Sequence, residues 1–174
     1  MKRSTGKILA VCIALLLGVA AIGSFYYRRL ARSGDGRLIS SAPWCRQEED
    51  CIAEAVYQYE IQNSEGHKSS DLFFLSVNQG HDPESEILKR LARSSYRVKP
   101  ISHSIDQRTV IKDNETGEPG VILTLGKITW VDKTRVEVAL SAYSGFGDAK
   151  GYVYELVRGE NGWMIRNRKF GYET

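Results

Sequence analysis

The chain has 174 residues, of which 42% are hydrophobic and 26% charged, a composition typical of one globular domain with an extension. Residues 1–44 hold seven of the 24 Lys and Arg residues but one of the 21 acidic residues, which leaves 17 basic and 20 acidic residues in 45–174, a formal charge of about −3. A nucleic-acid-binding domain normally carries its positive excess on the folded part. We therefore expect no nucleic acid among its partners.

An uncharged apolar run covers residues 8–27, with Lys7 before it and Arg28 after it. Twenty helical residues span about 30 Å, the thickness of a bilayer's hydrocarbon core. The run ends in aromatic and then basic side chains, which suits a membrane–water interface. We predict a single membrane-spanning anchor here; a signal peptide cleaved before Ser24 is the alternative. Basic residues flank both ends, so the positive-inside rule leaves the orientation open.

The remaining chain divides into a juxtamembrane linker rich in Ser, Gly and Arg, residues 28–44, and a globular domain, residues 45–174. Cys45 and Cys51, at the start of this domain, have neither zinc-finger nor thioredoxin-like spacing. A disulfide between them is expected in an oxidising compartment, and free thiols in the cytosol. This pair and the signal-like N-terminus favour a domain on the extracytoplasmic side, secreted or periplasmic if the signal is cleaved.

The first half of the domain is predicted to contain two helices and a strand. Apolar side chains recur at helical spacing over residues 47–63, after an acidic first turn. Residues 71–77 are apolar almost throughout and read as a strand. Asp82, as the N-cap, and the proline after it begin a second helix that runs to about residue 93, with a Glu86–Arg90 ion pair on its surface.

The last third of the chain is predicted to be an antiparallel meander. Apolar and polar side chains alternate along its segments, and an Asn-Gly dipeptide marks the final hairpin turn. We place the strands at residues 120–131, 135–143, 151–158 and 163–170, with Tyr152, Tyr154 and Trp163 packed together across the final hairpin. The predicted class is α+β, with two helices packed on a curved antiparallel sheet.

The order of elements over residues 47–172, with the terminal hairpin Gly-Tyr-Val-Tyr-Glu-Leu-Val-Arg…Asn-Gly-Trp-Met-Ile-Arg, resembles the nuclear transport factor 2-like (cystatin-like) superfamily. The resemblance implies a cone of curved sheet closed by helices. Enzymes of this superfamily place an Asp with a His or Tyr inside the cone, which would assign Tyr57, Asp71 and Tyr143 to a pocket. Other members are membrane-associated accessory proteins, and the pocket residues would then belong to the core.

The sequence contains no pattern from which a catalytic residue, a metal ligand or a cofactor site can be assigned. His67, His81 and His103 lack metal-ligand spacing and are expected at the surface. We therefore expect a membrane-tethered interaction or accessory module with a protein partner in the cell envelope, rather than an enzyme. The alternatives are a small hydrolase or isomerase, or an apolar-ligand binder, that uses the interior of the cone, and a purely structural envelope protein.

Overall fold

Two helices and eight strands make up the part of the chain that the computed structural model describes, residues 48–63, 71–94 and 96–173. The helices are α1 (Glu48–Asn63) and α2 (Ser85–Arg93), and the strands are β1 (Leu72–Val77), β2 (Arg97–Pro100), β3 (Ser104–Asp106), β4 (Ile111–Asp113), β5 (Pro119–Asp132), β6 (Arg135–Gly145), β7 (Asp148–Gly159) and β8 (Gly162–Glu173). The α+β class, both predicted helices and the four-stranded meander are confirmed.

The sheet is mixed rather than antiparallel throughout, with the strand order β2-β1-β5-β6-β7-β8. The meander from β5 to β8 is antiparallel as predicted, but β1 pairs in parallel with both β2 and β5. The prediction of an antiparallel sheet is therefore wrong for this half. The reason is that α2 lies between β1 and β2 along the chain, and such a crossover returns the second strand in the direction of the first.

The two faces of the sheet carry separate apolar clusters. The larger cluster packs α1 and α2 against alternate residues of the sheet, including Phe73, Leu75 and Leu123. The smaller cluster lies on the opposite face, where β4 covers β1 and β5, and its members are Leu72, Phe74 and Ile111. A Cβ atom at Gly120 would lie 2.5 Å from the ring of Phe74, so glycine lets β5 approach β1 closely at this point.

Helix α1 is held in place by polar contacts to other elements. The Tyr57 hydroxyl donates a hydrogen bond of 2.6 Å to the carbonyl oxygen of Ser76 in β1. Arg158 Nη1 lies 2.7 Å from Glu48 Oε1 and joins the first turn of α1 to the end of β7. More of the α1 surface is buried than the one apolar face that helical spacing predicts, because the sheet and α2 both cover the helix. The buried residues of α1 are Ile52, Ala53, Glu54, Ala55, Val56, Tyr57, Tyr59 and Glu60.

A buried ion pair joins the two helices. Arg90 Nε on α2 lies 2.7 Å from Glu54 Oε2 on α1, and the two side chains are 13% and 4% exposed. The predicted Glu86–Arg90 pair is therefore wrong: Glu86 instead contacts Lys89, while Arg90 turns inward because an otherwise buried carboxylate needs a cation.

Helix α2 also begins later than predicted. Its N-cap is Glu84 rather than Asp82. The carboxylate of Asp82 accepts the backbone N–H of Ser102 at 2.9 Å and so stabilises the short 3-10 turn between β2 and β3.

Within the described ranges, neither helix is long and apolar enough to cross a bilayer. The predicted span at residues 8–27, and the predicted domain boundaries at residues 27 and 44, lie outside those ranges.

The Arg90→Ala substitution tests the importance of the buried ion pair. It leaves the Glu54 carboxylate buried without its cation, and we expect the free energy of unfolding to fall by about 3 kcal/mol. Arg93→Ala, a control at an exposed position of the same helix, should change it by less than about 0.5 kcal/mol. Urea denaturation measures both values, and equal effects from the two substitutions would contradict the assignment.

Candidate functional site

The three residues that the resemblance assigned to one pocket do not lie together. Tyr57 is fully buried in the larger cluster, on the helix side of the sheet. Tyr143 packs against the smaller cluster on the opposite face, and Asp71 is exposed just before β1. A sheet separates the two tyrosines, so no common pocket contains them.

Neither tyrosine is suited to act as a base. Burial is the main cause that raises the pKa of the Tyr57 phenol far above its ordinary value. Burial, and then the nearby negative charge of Asp106, raise the pKa of Tyr143 as well. Both hydroxyls therefore remain protonated at neutral pH and act as hydrogen-bond donors.

Cys51, in the first turns of α1, is one half of a disulfide bond. The other two cysteines of the chain, Cys12 and Cys45, both lie outside the described residues, and one of them is the bonded partner. The pairing of Cys45 with Cys51 therefore stays a prediction.

The described histidines lie apart from one another. His81 is exposed in the loop after β1, and His103 is partly exposed, with Nδ1 3.7 Å from a Glu115 carboxylate oxygen. His67 lies outside the described residues. In the described segments, no group of three or more His, Cys, Asp or Glu side chains could hold a metal ion.

A buried carboxylate connects α1 with the last hairpin. Glu60 is 1% exposed and accepts a hydrogen bond from the Tyr154 hydroxyl on β7. Its other carboxylate oxygen lies 3.3 Å from Arg168 Nη2 on β8. Burial and the negative charge of Glu60 raise the pKa of Tyr154 far above its ordinary value, so the phenol stays protonated and donates a hydrogen bond to the carboxylate.

Arg168 links this buried carboxylate to the surface. Its side chain is 26% exposed, and its guanidinium lies 3.7 Å from the centre of the Tyr152 ring. The Tyr152 ring meets the ring of Phe170 edge to face, with 5.8 Å between their centroids, and Phe170 is 60% exposed. We call Tyr152, Arg168 and Phe170 the β8 patch. Because Glu60 holds the guanidinium from below, the β8 patch presents a fixed cation beside an exposed aromatic ring.

The end of β8 also carries a second exposed aromatic side chain. Tyr172 is 50% exposed, and a Cβ atom at Gly151 would lie 2.2 Å from its ring. The pairing of β7 with β8 shifts by one residue at this point: Gly151 lies opposite Tyr172, whereas the next residue, Tyr152, lies opposite Phe170. The extra residue, Gly171, moves the Tyr172 ring to the face of Gly151, opposite the β8 patch.

No family model matches the sequence of this chain, and no curated protein or solved structure matches it.

The sequence predicted part of this arrangement. Tyr152 and Tyr154 do lie together, with 6.4 Å between their ring centroids, but Trp163 pairs with Trp130 instead, at 5.6 Å. The role of Glu60 was missed, because on a helical pattern it reads as a surface acid. The sequence held no signal for it, because Arg168 lies opposite Tyr154 only as a result of a shift in the β7–β8 pairing between Glu155 and Leu156.

The Tyr154→Phe substitution tests the buried carboxylate. It removes a hydrogen-bond donor from Glu60, so we expect the free energy of unfolding to fall by about 1–3 kcal/mol. Tyr143→Phe is the matched control; its hydroxyl is 3.4 Å from Asp106 at the surface, and we expect a change below about 0.5 kcal/mol. Urea denaturation at pH 7 measures both. A Tyr154→Phe loss no larger than that of the control would show that Glu60 does not need this donor.

Proposed function

We propose that residues 45–174 are a protein-interaction module that an N-terminal span, residues 8–27, holds at a membrane on its extracytoplasmic side. The module recruits a protein partner of the cell envelope, and β8 provides the surface of contact. The observation that carries this proposal is the β8 patch.

The composition and geometry of the β8 patch support a role in protein binding. Aromatic residues and Arg are enriched at the centres of protein interfaces and dominate their energetics. Exposed Phe170 would lose its contact with water on binding, whereas Arg168 is already oriented by Glu60 and Tyr152. A side chain that is fixed before binding loses little conformational entropy when the partner arrives.

Two observations support the proposed location. The apolar run at residues 8–27 has the length and flanking residues of a span. Cys51 takes part in a disulfide bond, which persists in oxidising compartments and is rare in the cytosol.

The alternative, a hydrolase, an isomerase or an apolar-ligand binder that uses the interior of a cone, finds little support. An acid–base enzyme of the kind that the resemblance implies needs a side chain inside the cone that is free to exchange a proton with its substrate. The buried carboxylates Glu54, Glu60 and Asp113 each lie within 3.3 Å of a cationic side chain. The Tyr57 hydroxyl is bound to a backbone carbonyl, and the apolar side chains of α1 pack with those of the sheet in the larger cluster.

The nuclear transport factor 2-like fold remains part of the proposal. Two helices that cover one face of a sheet, and a long antiparallel meander, support it. The parallel pairing of β1 with β2 and β5 is the feature that such an assignment has to accommodate.

The location is tested by labelling with a membrane-impermeant maleimide. Phe146, in the β6–β7 turn, is 86% exposed, so Phe146→Cys in a Cys12→Ala chain provides an accessible thiol. We expect this thiol to react in intact cells, in the membrane fraction. Cys12→Ala alone is the control and should react only after reduction. Reaction only after the cells are broken would place the domain in the cytosol, and a shortened soluble product would indicate a cleaved signal.

The interaction surface is tested by photo-crosslinking in intact cells. Benzoylphenylalanine replaces Phe170, and in a separate chain it replaces Phe146, a matched control because both are exposed phenylalanines. We expect a discrete adduct of higher mass from position 170 and none from position 146. Adducts at neither position, or the same adducts at both, would contradict the assignment of β8 as the contact surface.

A further inference from the structure

We propose that the outer edge of β8 binds an extended, acidic segment of the partner protein, which adds to the sheet as a further strand. This inference rests on the proposed function and specifies the chemistry of the partner. Its basis is a long strand edge without a described neighbour, together with two exposed cations on the same strand, Arg166 and Lys169.

The edge of β8 is long enough for strand addition. Within the described residues, β8 spans 12 residues and pairs with β7 on one side. An exposed edge offers a row of backbone N–H and C=O groups to an incoming chain. The other end of the sheet is β2, which has four residues and ends at Pro100, so it offers a much shorter edge.

The cations at the two edges differ in how firmly they are neutralised. On β2, Lys99 Nζ lies 2.6 Å from the buried Asp113 carboxylate and 3.0 Å from Glu115. On β8, Arg166 Nη1 lies 3.6 Å from Glu155 Oε1 and Lys169 Nζ lies 3.9 Å from Glu137 Oε1, and both cationic side chains are more than half exposed. Arg166 and Lys169 therefore remain available to the carboxylates of an incoming strand.

A second copy of this chain is a poor occupant of the same edge. If two full-length β8 strands paired antiparallel, Gly162 of one copy would lie opposite Glu173 of the other. In that register, Arg166 of each copy lies opposite Lys169 of the other. Like charges directly opposite one another are destabilising in a sheet. The cations that discourage self-pairing thus favour an acidic strand.

The linker that precedes α1 is also a poor occupant. Residues 28–44 carry four arginines and a single acidic residue, Asp35, so their charge has the same sign as that of the β8 edge. The occupant that fits the edge is a segment of another protein with several Asp or Glu residues.

The aromatic side chains near the end of β8 would add affinity to this contact. Phe170 lies on the helix side of the sheet and Tyr172 on the other side, and both are at least half exposed. Successive side chains of an added strand point to opposite faces, so apolar residues at neighbouring positions of the partner can contact both rings. We therefore expect a segment that combines acidic and apolar residues and lacks proline.

The test is a selection from displayed random 12-residue peptides against the full chain in detergent. We expect enriched peptides to be acidic and to contain apolar residues but no proline. A synthetic copy of the most enriched peptide should protect β8 amides that do not bond to β7 from hydrogen exchange. The double substitution Arg166→Glu with Lys169→Glu should weaken its binding about tenfold or more, since attraction becomes repulsion at two cross-strand positions.

Lys133→Glu is the matched control, a charge reversal in the β5–β6 turn, and it should leave peptide affinity unchanged. Circular dichroism verifies that all variants are folded. Enrichment without an acidic bias, protection elsewhere than β8, or affinity that is insensitive to the double substitution would each overturn the inference. Self-association of the chain through β8, seen by analytical ultracentrifugation, would also overturn it. If position 170 forms a crosslink in cells but the selected peptides show no acidic bias, the proposed function stands and strand addition by an acidic segment is rejected.

Discussion

The burial of β1 on both faces is the constraint on which the rest of this fold depends. Leu72 and Phe74 need cover on one side of the sheet, and Phe73 and Leu75 need it on the other. The helices provide one cover, and the β3–β4 hairpin contributes to the other. The same constraint places β1 inside the sheet, between β2 and β5, and leaves the far end of the sheet to β8.

The sequence allowed both helices and the meander to be predicted, because each has a clear apolar period and recognisable turns. The parallel half was missed, although the continuous apolar run of β1 is typical of a strand buried on both faces. Such a run does not specify its neighbours, since pairing with β2 and β5 depends on contacts between residues distant in the chain. The inward turn of Arg90 was missed for the same reason, because its carboxylate lies 36 residues earlier.

The candidate site was less predictable than the fold. Tyr57 and Tyr143 were associated by a resemblance, but the alternation of side chains along a strand directs Tyr143 away from the helices. The residues that form the β8 patch are ordinary surface types in the sequence. Their arrangement depends on strand register and on the buried acid of α1, and neither can be determined from local composition.

The polar contacts of α1 also determine how mechanical load would pass through the domain. Any tension in the chain that precedes residue 48 enters α1 in its first turns, where Cys51 forms its disulfide bond and Glu48 pairs with Arg158 at the end of β7. Three turns further along, Glu60 is held by Arg168 in β8. A pull on the helix therefore reaches both strands of the final hairpin, β7 through Glu48 and β8 through Glu60. If residues 8–27 anchor the chain as proposed, α1 would pass tension from that anchor to the outermost strand.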